Sequence, residues 1–478
     1  MNAQSRIPNE MLCHIFHFLR DADKPIALDV LNNRFEDPRH FPWAVGQVCR
    51  RWRYAFISHP PLWTSLSLYW ESGLKRSAAY MDEIDRRTAI YLDRSGELPL
   101  SIFLSTCCSS RQRGPAAIVR TLMSRSNRWK RLELRIDAAS EKDFLLGCDG
   151  QLRLLTSLKV QIALNHVASN FYTIFEAAPN LFDLDLSVGL GKMKFPWAQL
   201  TKLKLSVSWV DGYHHSKEWH AVLSELKNIE MLHLQVTAFS PSWTTPPQFP
   251  AVLLPHLSSL KTTLVYSEVF SWLTTPQLEH LRIDDRLEHT GKYEAYKNGI
   301  FSLVNRSSCH IRRLTLLHGE IRAAPLMLEA LTNVEELFID GPTITFPNII
   351  WHIARFNNHV YLPKLRAFEM RYCPAHNIKV LSEAISRLLE ERGKESAGRN
   401  TALLEKVVIR LQWCWACGTS LSRNTGNIQV SYDALEEIRN LPSDANIYID
   451  DSAVKQFGIK PNQEMTLPTR GSACHMWD

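Results

Sequence analysis

No run of 18 or more apolar residues occurs in this 478-residue chain, which excludes a long lipid-crossing helix. Its start, MNAQSRIPNEML, has no basic stretch leading into an apolar one, so the chain is read as neither secreted nor membrane-spanning, and as cytoplasmic or nuclear. Glycine is scarce, at 19 residues, and neither a Gly-rich phosphate loop, nor His-Glu-x-x-His, nor Gly-x-Ser-x-Gly is found. Catalysis by the chain itself is therefore not expected, and no cofactor is implied. Charge of one sign is also missing: 55 basic residues face 49 acidic ones, and a net +6 spread over this length does not argue for nucleic acid.

Cysteine is sparse and scattered, ten residues from Cys13 to Cys474, so reduced thiols are expected rather than a disulfide framework. The one tempting cluster is WCWACG, which holds Cys414 and Cys417. Metal binding needs four ligands and no second pair follows at finger spacing, while a redox pair would want the start of a helix in a thioredoxin-like unit. Packing or incidental thiols is the reading, with no metal.

What the chain has in quantity is a repeat. RLELRID, SLKVQIA, DLDLSVG, KLKLSVS, MLHLQVT, SLKTTLV, HLRIDDR, RLTLLHG and ELFIDGP share an apolar–any–apolar step of strand period, opened by Leu132, Leu158, Leu184, Leu203, Leu232, Leu260, Leu281, Leu314 and Leu337. The spacing runs from 19 to 33 residues. Looser copies stand at Leu66, Ile102, Phe368 and Val407. Stretches with helical spacing lie between them, for example Phe171, Ile174, Phe175 and Ala178, closed by Pro179-Asn180. One strand and one helix per 20 to 30 residues is the unit of a leucine-rich-repeat solenoid, with parallel strands on its concave face. The Asn that usually follows the strand is absent, its places taken by Asp137, Ala163, Gly189, Ser208 and Thr237. An uneven solenoid is expected in preference to a doubly wound α/β domain, because eleven or more units exceed what one open sheet normally holds.

Residues 1–64 lack the repeat. In IPNEMLCHIFHFL, Pro8 suits a first helical turn, and Met11, Leu12, Ile15, Phe16 and Leu19 make one apolar face. A polar segment from Asp21 to Arg39 follows. In VCRRWRYAFISHPPLW, residues Val48, Cys49, Trp52, Ala55 and Phe56 share a helix face with Arg50, Arg51 and Arg53 opposite, and Pro60-Pro61 stops the helix. The Arg trio is read as a solvated face. The order Ile-Pro-x-Glu, Leu-x-x-Ile-Phe, Val-Cys-Arg-x-Trp-Arg and Pro-x-Leu-Trp resembles an F-box, the module by which substrate receptors attach to a cullin-type ubiquitin ligase through a Skp-type adaptor. By this resemblance Ile7, Pro8, Leu12, Ile15, Phe16, Val48, Cys49, Trp52, Leu62 and Trp63 would bind the adaptor. The Asp21 to Arg39 segment is longer than usual and is read as an inserted loop. LDRSGELPLSIFL, FPWAQLTKLKL and NRSSCHIRRLTL are similar to segments of the large fungal group of F-box proteins with divergent leucine-rich repeats.

The fold class expected is α/β: an all-helical F-box at 1–64, an irregular repeat solenoid at 65–445, and a C-terminal cap and tail at 446–478. Residues alternating with the strand leucines mix both signs, among them Arg135, Lys159, Asp185, Arg282, Asp340 and Arg371. A mixed face fits recognition of a protein target rather than nucleic acid. The resemblance implies a non-catalytic substrate receptor of an SCF ligase that directs ubiquitin-dependent degradation. The alternative is a repeat scaffold or inhibitor outside any ligase, its F-box serving as a structural cap.

Overall fold

The computed structural model describes residues 7–22, 44–71, 78–107, 116–137, 152–163, 173–187, 194–207, 212–236, 249–263, 267–284, 293–317, 328, 330–340, 361–372, 378–392, 402–411 and 446–450. Cys414, Cys417 and all of the expected insertion beyond Ala22 lie outside them. Two compact units result, one up to Ser208 and one from Trp209 onward.

The first unit begins with helices α1 (Asn9–Ala22), α2 (Val45–Val48) and α3 (Arg50–Ile57) and a 3-10 turn at Pro60–Trp63. It continues through β1 (Ser65–Glu71), α4 (Ala78–Arg94), β2 (Leu100–Cys107), α5 (Ala116–Met123), β3 (Trp129–Asp137), β4 (Ser157–Ala163), β5 (Asp183–Ser187) and β6 (Lys202–Val207). The single helix read across Val48 to Phe56 is in fact two. Cys49 is extended between them, and its Sγ accepts the Trp52 N–H at 3.4 Å, capping α3.

The second unit holds α6 (Gly212–Glu225), β7 (Met231–Val236), β8 (Val252–Leu253), β9 (Ser259–Thr263), α7 (Ser267–Trp272), β10 (Leu273–Thr274) and β11 (His280–Asp284). Then follow α8 (Tyr293–Ser307), β12 (Arg313–Leu317), β13 (Glu336–Asp340), β14 (Ala367–Tyr372), α9 (Ile378–Arg392), β15 (Lys406–Leu411) and β16 (Asn446–Asp450). Strand β16 pairs with β15, so the sheet continues past residue 445, where the sequence suggested a cap.

In each unit the sheet is parallel and its strands lie in chain order: β1 to β6 in the first, and β7, β9, then β11 to β16 in the second, with β8 and β10 pairing apart. A doubly wound sheet reverses its order part-way, and neither unit does. This is a mixed α/β, open, repeat-solenoid arrangement following the amino-terminal helices. Its register is set by the leucines. Leu66, Ile102, Leu132, Leu158, Leu184 and Leu203 are successive partners in the first unit. Leu232, Leu260, Leu281, Leu314, Leu337, Phe368 and Val407 are successive partners in the second. All thirteen are buried, because a slip of one residue would turn every one of them to the opposite face. The helical layer is less regular than its spacing suggests. Where Ile174 and Phe175 were expected on a helix, residues 173–177 form only a turn, although Phe175 and Ala178 are buried as expected.

The missing Asn ladder has substitutes. Asn180 donates to the Arg153 carbonyl at 2.6 Å, and Gln199 to those of Ala178 and Leu181 at 2.7 and 2.9 Å. Three arginines do the same over one whole repeat. Arg128 reaches Ser95 Oγ and the Leu98 carbonyl, Arg306 the Phe270 and Leu273 carbonyls, and Arg392 those of Tyr361 and Leu362. Each leaves water to satisfy carbonyls of the preceding repeat, and burial pulls the Arg128 and Arg306 guanidiniums below their usual pKa. Arg306→Met should therefore lower the stability of the second unit by about 1–3 kcal/mol, since the carbonyls it serves would lose their donor. Urea denaturation checks this, and an unchanged midpoint would show that the tie is not energetic.

Candidate protein-binding surface

Helix α1 places Met11, Ile15, Phe18, Leu19, Leu12 and Phe16 on one continuous arc, about 160° wide at about 100° per residue. Such an arc is broader than one packing partner can cover. Its inner edge, Leu12 and Phe16, is fully buried. The outer edge is not: Met11 is 53% and Phe18 74% exposed.

The inner edge meets α3 through rings. Phe16 packs edge-on against Trp52 and Phe56, with centroids 5.3 and 5.6 Å apart, and Phe56 lies 4.7 Å from Trp63. Trp63 in turn packs on Tyr91 of α4 at 5.1 Å, carries the Arg94 guanidinium 4.5 Å above its ring, and donates its indole N–H to the Phe56 carbonyl at 3.0 Å. One chain of aromatic contacts thus runs from α1 to the first repeat helix. Two of the arginines read as a solvated face join this framework. Arg51 donates to the Ile7 carbonyl and to Asn9 Oδ1, and Arg53 to the Gly46 carbonyl at 2.6 Å.

These contacts divide the ten residues expected to touch an adaptor. Leu12, Phe16, Leu62 and Trp63 are closed inside the first unit and offer a partner no surface. Their apolar character serves the core. Ile7, Ile15, Cys49 and Trp52 are half-buried, and Trp52 faces inward onto Phe16. Pro8 and Val48 are exposed. Sequence reasoning missed Phe18 and Tyr54, the latter 71% exposed, and the signal was there: both lie outside the stripes assigned to the core yet are aromatic. Among the described residues, six of the thirteen exposed large apolar side chains belong to α1, α2 and α3. That concentration makes these helices the candidate binding surface.

Residues 4–69 match the family model described as F-box-like. The chain carries an F-box-like domain at these residues. No curated protein matches the chain. The F-box match reaches into β1, so it includes the whole ring framework up to Trp63.

Within the F-box, His17 and His59 bring their Nε2 atoms to 3.2 Å with rings 5.3 Å apart, joining α1 to the segment after α3. Only one of the two can donate, so the bond needs at least one neutral imidazole. Burial, and secondarily the nearby His14, lowers the His59 pKa from its usual 6.5. The unfolded chain then takes up a proton that the folded chain refuses, so this contribution is present above the unfolded pKa and is lost as pH falls. Thermal stability should decline between pH 7 and 5, and His59→Gln should flatten that decline. An unaltered pH profile in the variant would remove the pair from consideration.

The six candidate residues on the sheet behave differently. Lys159 pairs with Glu133 at 2.8 Å, Asp185 with Lys204 at 3.1 Å, and Arg371 with Asp340 at 2.9 Å, all cross-strand neighbours. Arg135 meets Glu133 at 3.3 Å and lies over the Phe103 ring, as Arg371 does over Phe338. Only Arg282 has no ionic partner among the described residues. Such half-exposed pairs are worth about 0–1 kcal/mol each, so they occupy one another without fixing the fold. No group of three or more metal-ligating side chains occurs among the described residues, and no described helix is long and apolar enough to cross a membrane.

Proposed function

We propose that the protein is a non-catalytic substrate receptor: its F-box binds a Skp-type adaptor of a cullin ubiquitin ligase, and its repeats bind a protein target. The observation that carries this reading is the outer edge of α1 with Val48 of α2 and Tyr54 of α3. These side chains are apolar and exposed on a module whose own core is already filled, and a partner's apolar surface would cover them. No chemistry is required of the chain. Holding a target lysine near an activated ubiquitin raises its effective concentration, and binding energy alone supplies that.

The test is co-purification of the full chain with a Skp-type adaptor expressed alongside it. Formation of a stable complex supports the reading, and its absence at micromolar concentrations sinks it. The Trp63–Tyr91 and Trp63–Arg94 contacts favour a second role at the same time, since the F-box covers the start of the repeats as a cap would. If it is only a cap, removing residues 1–64 abolishes solubility while the intact chain shows no adaptor binding.

A further inference from the structure

Between α3 and α4 lies a cleft of about 360 Å³, within the range of small-ligand sites, and its walls are unusually basic. Arg53 stands on the α3 side. Glu83, Arg86, Arg87 and Arg94 stand on the other, at the spacing of one face of α4, with Trp63 between the walls. Four guanidiniums thus face one carboxylate.

That carboxylate is already taken. Glu83 receives Arg86 through two bonds of 2.8 Å and Arg87 through one of 2.7 Å, and these bonds hold its pKa near 2, so it stays ionised at neutral pH. Arg53 uses its Nε on the Gly46 carbonyl and meets no carboxylate among the described residues. Arg94 is the more telling group. It is half-buried on the Trp63 ring, burial lowers its pKa, and it too meets no carboxylate among the described residues. A desolvated cation facing a cleft with a surplus of three positive charges is a place where an anion gains more than it does on open surface.

We infer that this cleft binds a phosphate group. A phosphate dianion offers several acceptor oxygens to several guanidinium forks at once, which a single carboxylate does not. The recess is one cleft rather than a stripe, so a single phosphate fits it better than a nucleic-acid backbone. Phosphate can arrive on a phosphorylated side chain of another protein or on a small phosphorylated molecule, and the chemistry of capture is the same. The inference does not rest on adaptor binding and can fail or stand alone.

The test uses the full chain and three probes at matched ionic strength: inorganic phosphate, a phosphoserine peptide, and the same peptide unphosphorylated. Calorimetric titration should show saturable binding of the first two and none of the third. Arg53→Gln with Arg86→Gln should weaken binding by about tenfold or more, the scale of a lost charge-assisted hydrogen bond. Arg86 is largely exposed and Arg53 gives up only its bond to the Gly46 carbonyl, while every ring contact stays in place, so the fold should survive, and Arg313→Gln on the second unit should bind as the wild type does. A peptide that binds far more tightly than inorganic phosphate identifies a phosphorylated protein as the source, and equal binding identifies a small molecule. No saturable binding at millimolar phosphate, or binding unaltered in the double variant, overturns the inference.

Discussion

Trp63→Ala is expected to destabilise the first unit by about 3–5 kcal/mol, the range for truncating a fully buried large aromatic. The substitution removes more than volume. Phe56 and Tyr91 lose their common neighbour, the Phe56 carbonyl loses its 3.0 Å bond from the indole and keeps the His59 N–H at 3.4 Å, and the Arg94 guanidinium loses the ring beneath it. Trp63→Phe separates these effects: it keeps a ring in the stack but leaves the Phe56 carbonyl with the 3.4 Å bond from the His59 N–H, at an expected cost of about 0.5–1.5 kcal/mol. Urea denaturation followed by near-ultraviolet dichroism measures both. A loss below about 1 kcal/mol for the alanine variant would mean that the aromatic chain is not what joins the F-box to the first repeat. Because Leu62 and Trp63 are interior, substitutions there report on folding and not on contact with a partner.

Phe18→Asp combined with Val48→Asp carries the second large effect, on binding. Residues at the centre of an interface commonly contribute about 2 kcal/mol or more each, so the pair should weaken adaptor capture by about a hundredfold or more. Both side chains are at least half exposed, and thermal stability should remain near that of the wild type. Leu403→Asp, an exposed apolar position on the second unit, is the control and should leave capture intact. Undiminished capture by the double variant would move the contact surface away from the outer edge of α1.

The repeat was legible because two requirements coincide at the same residues. Each strand leucine must be buried, and each must also sit opposite its counterpart, so spacing along the chain reported both burial and register. The F-box surface was less legible. A sequence displays the whole apolar arc of α1 but not which part of it α3 covers, and so Leu12 and Phe16 were placed with the contacts when they belong to the core. The arginine ties left no periodic trace at all. Arg128, Arg306 and Arg392 bond carbonyls about one repeat away, and a carbonyl is present at every position whatever the side chain. The sheet charges were read correctly as mixed in sign, but their mutual pairing depends on cross-strand register that a one-dimensional pattern does not display.

Modularity is where the Trp63 junction has its widest consequence. F-boxes invite treatment as interchangeable cartridges, to be cut after the last helix and spliced onto a new recognition domain. Here such a cut at residue 64 would part Trp63 from Tyr91 and Arg94, strip a large aromatic of half its surroundings, and leave the first repeat with an open apolar end. The transferable piece extends at least to Arg94, and a graft that respects that boundary keeps Trp63 with both of these neighbours.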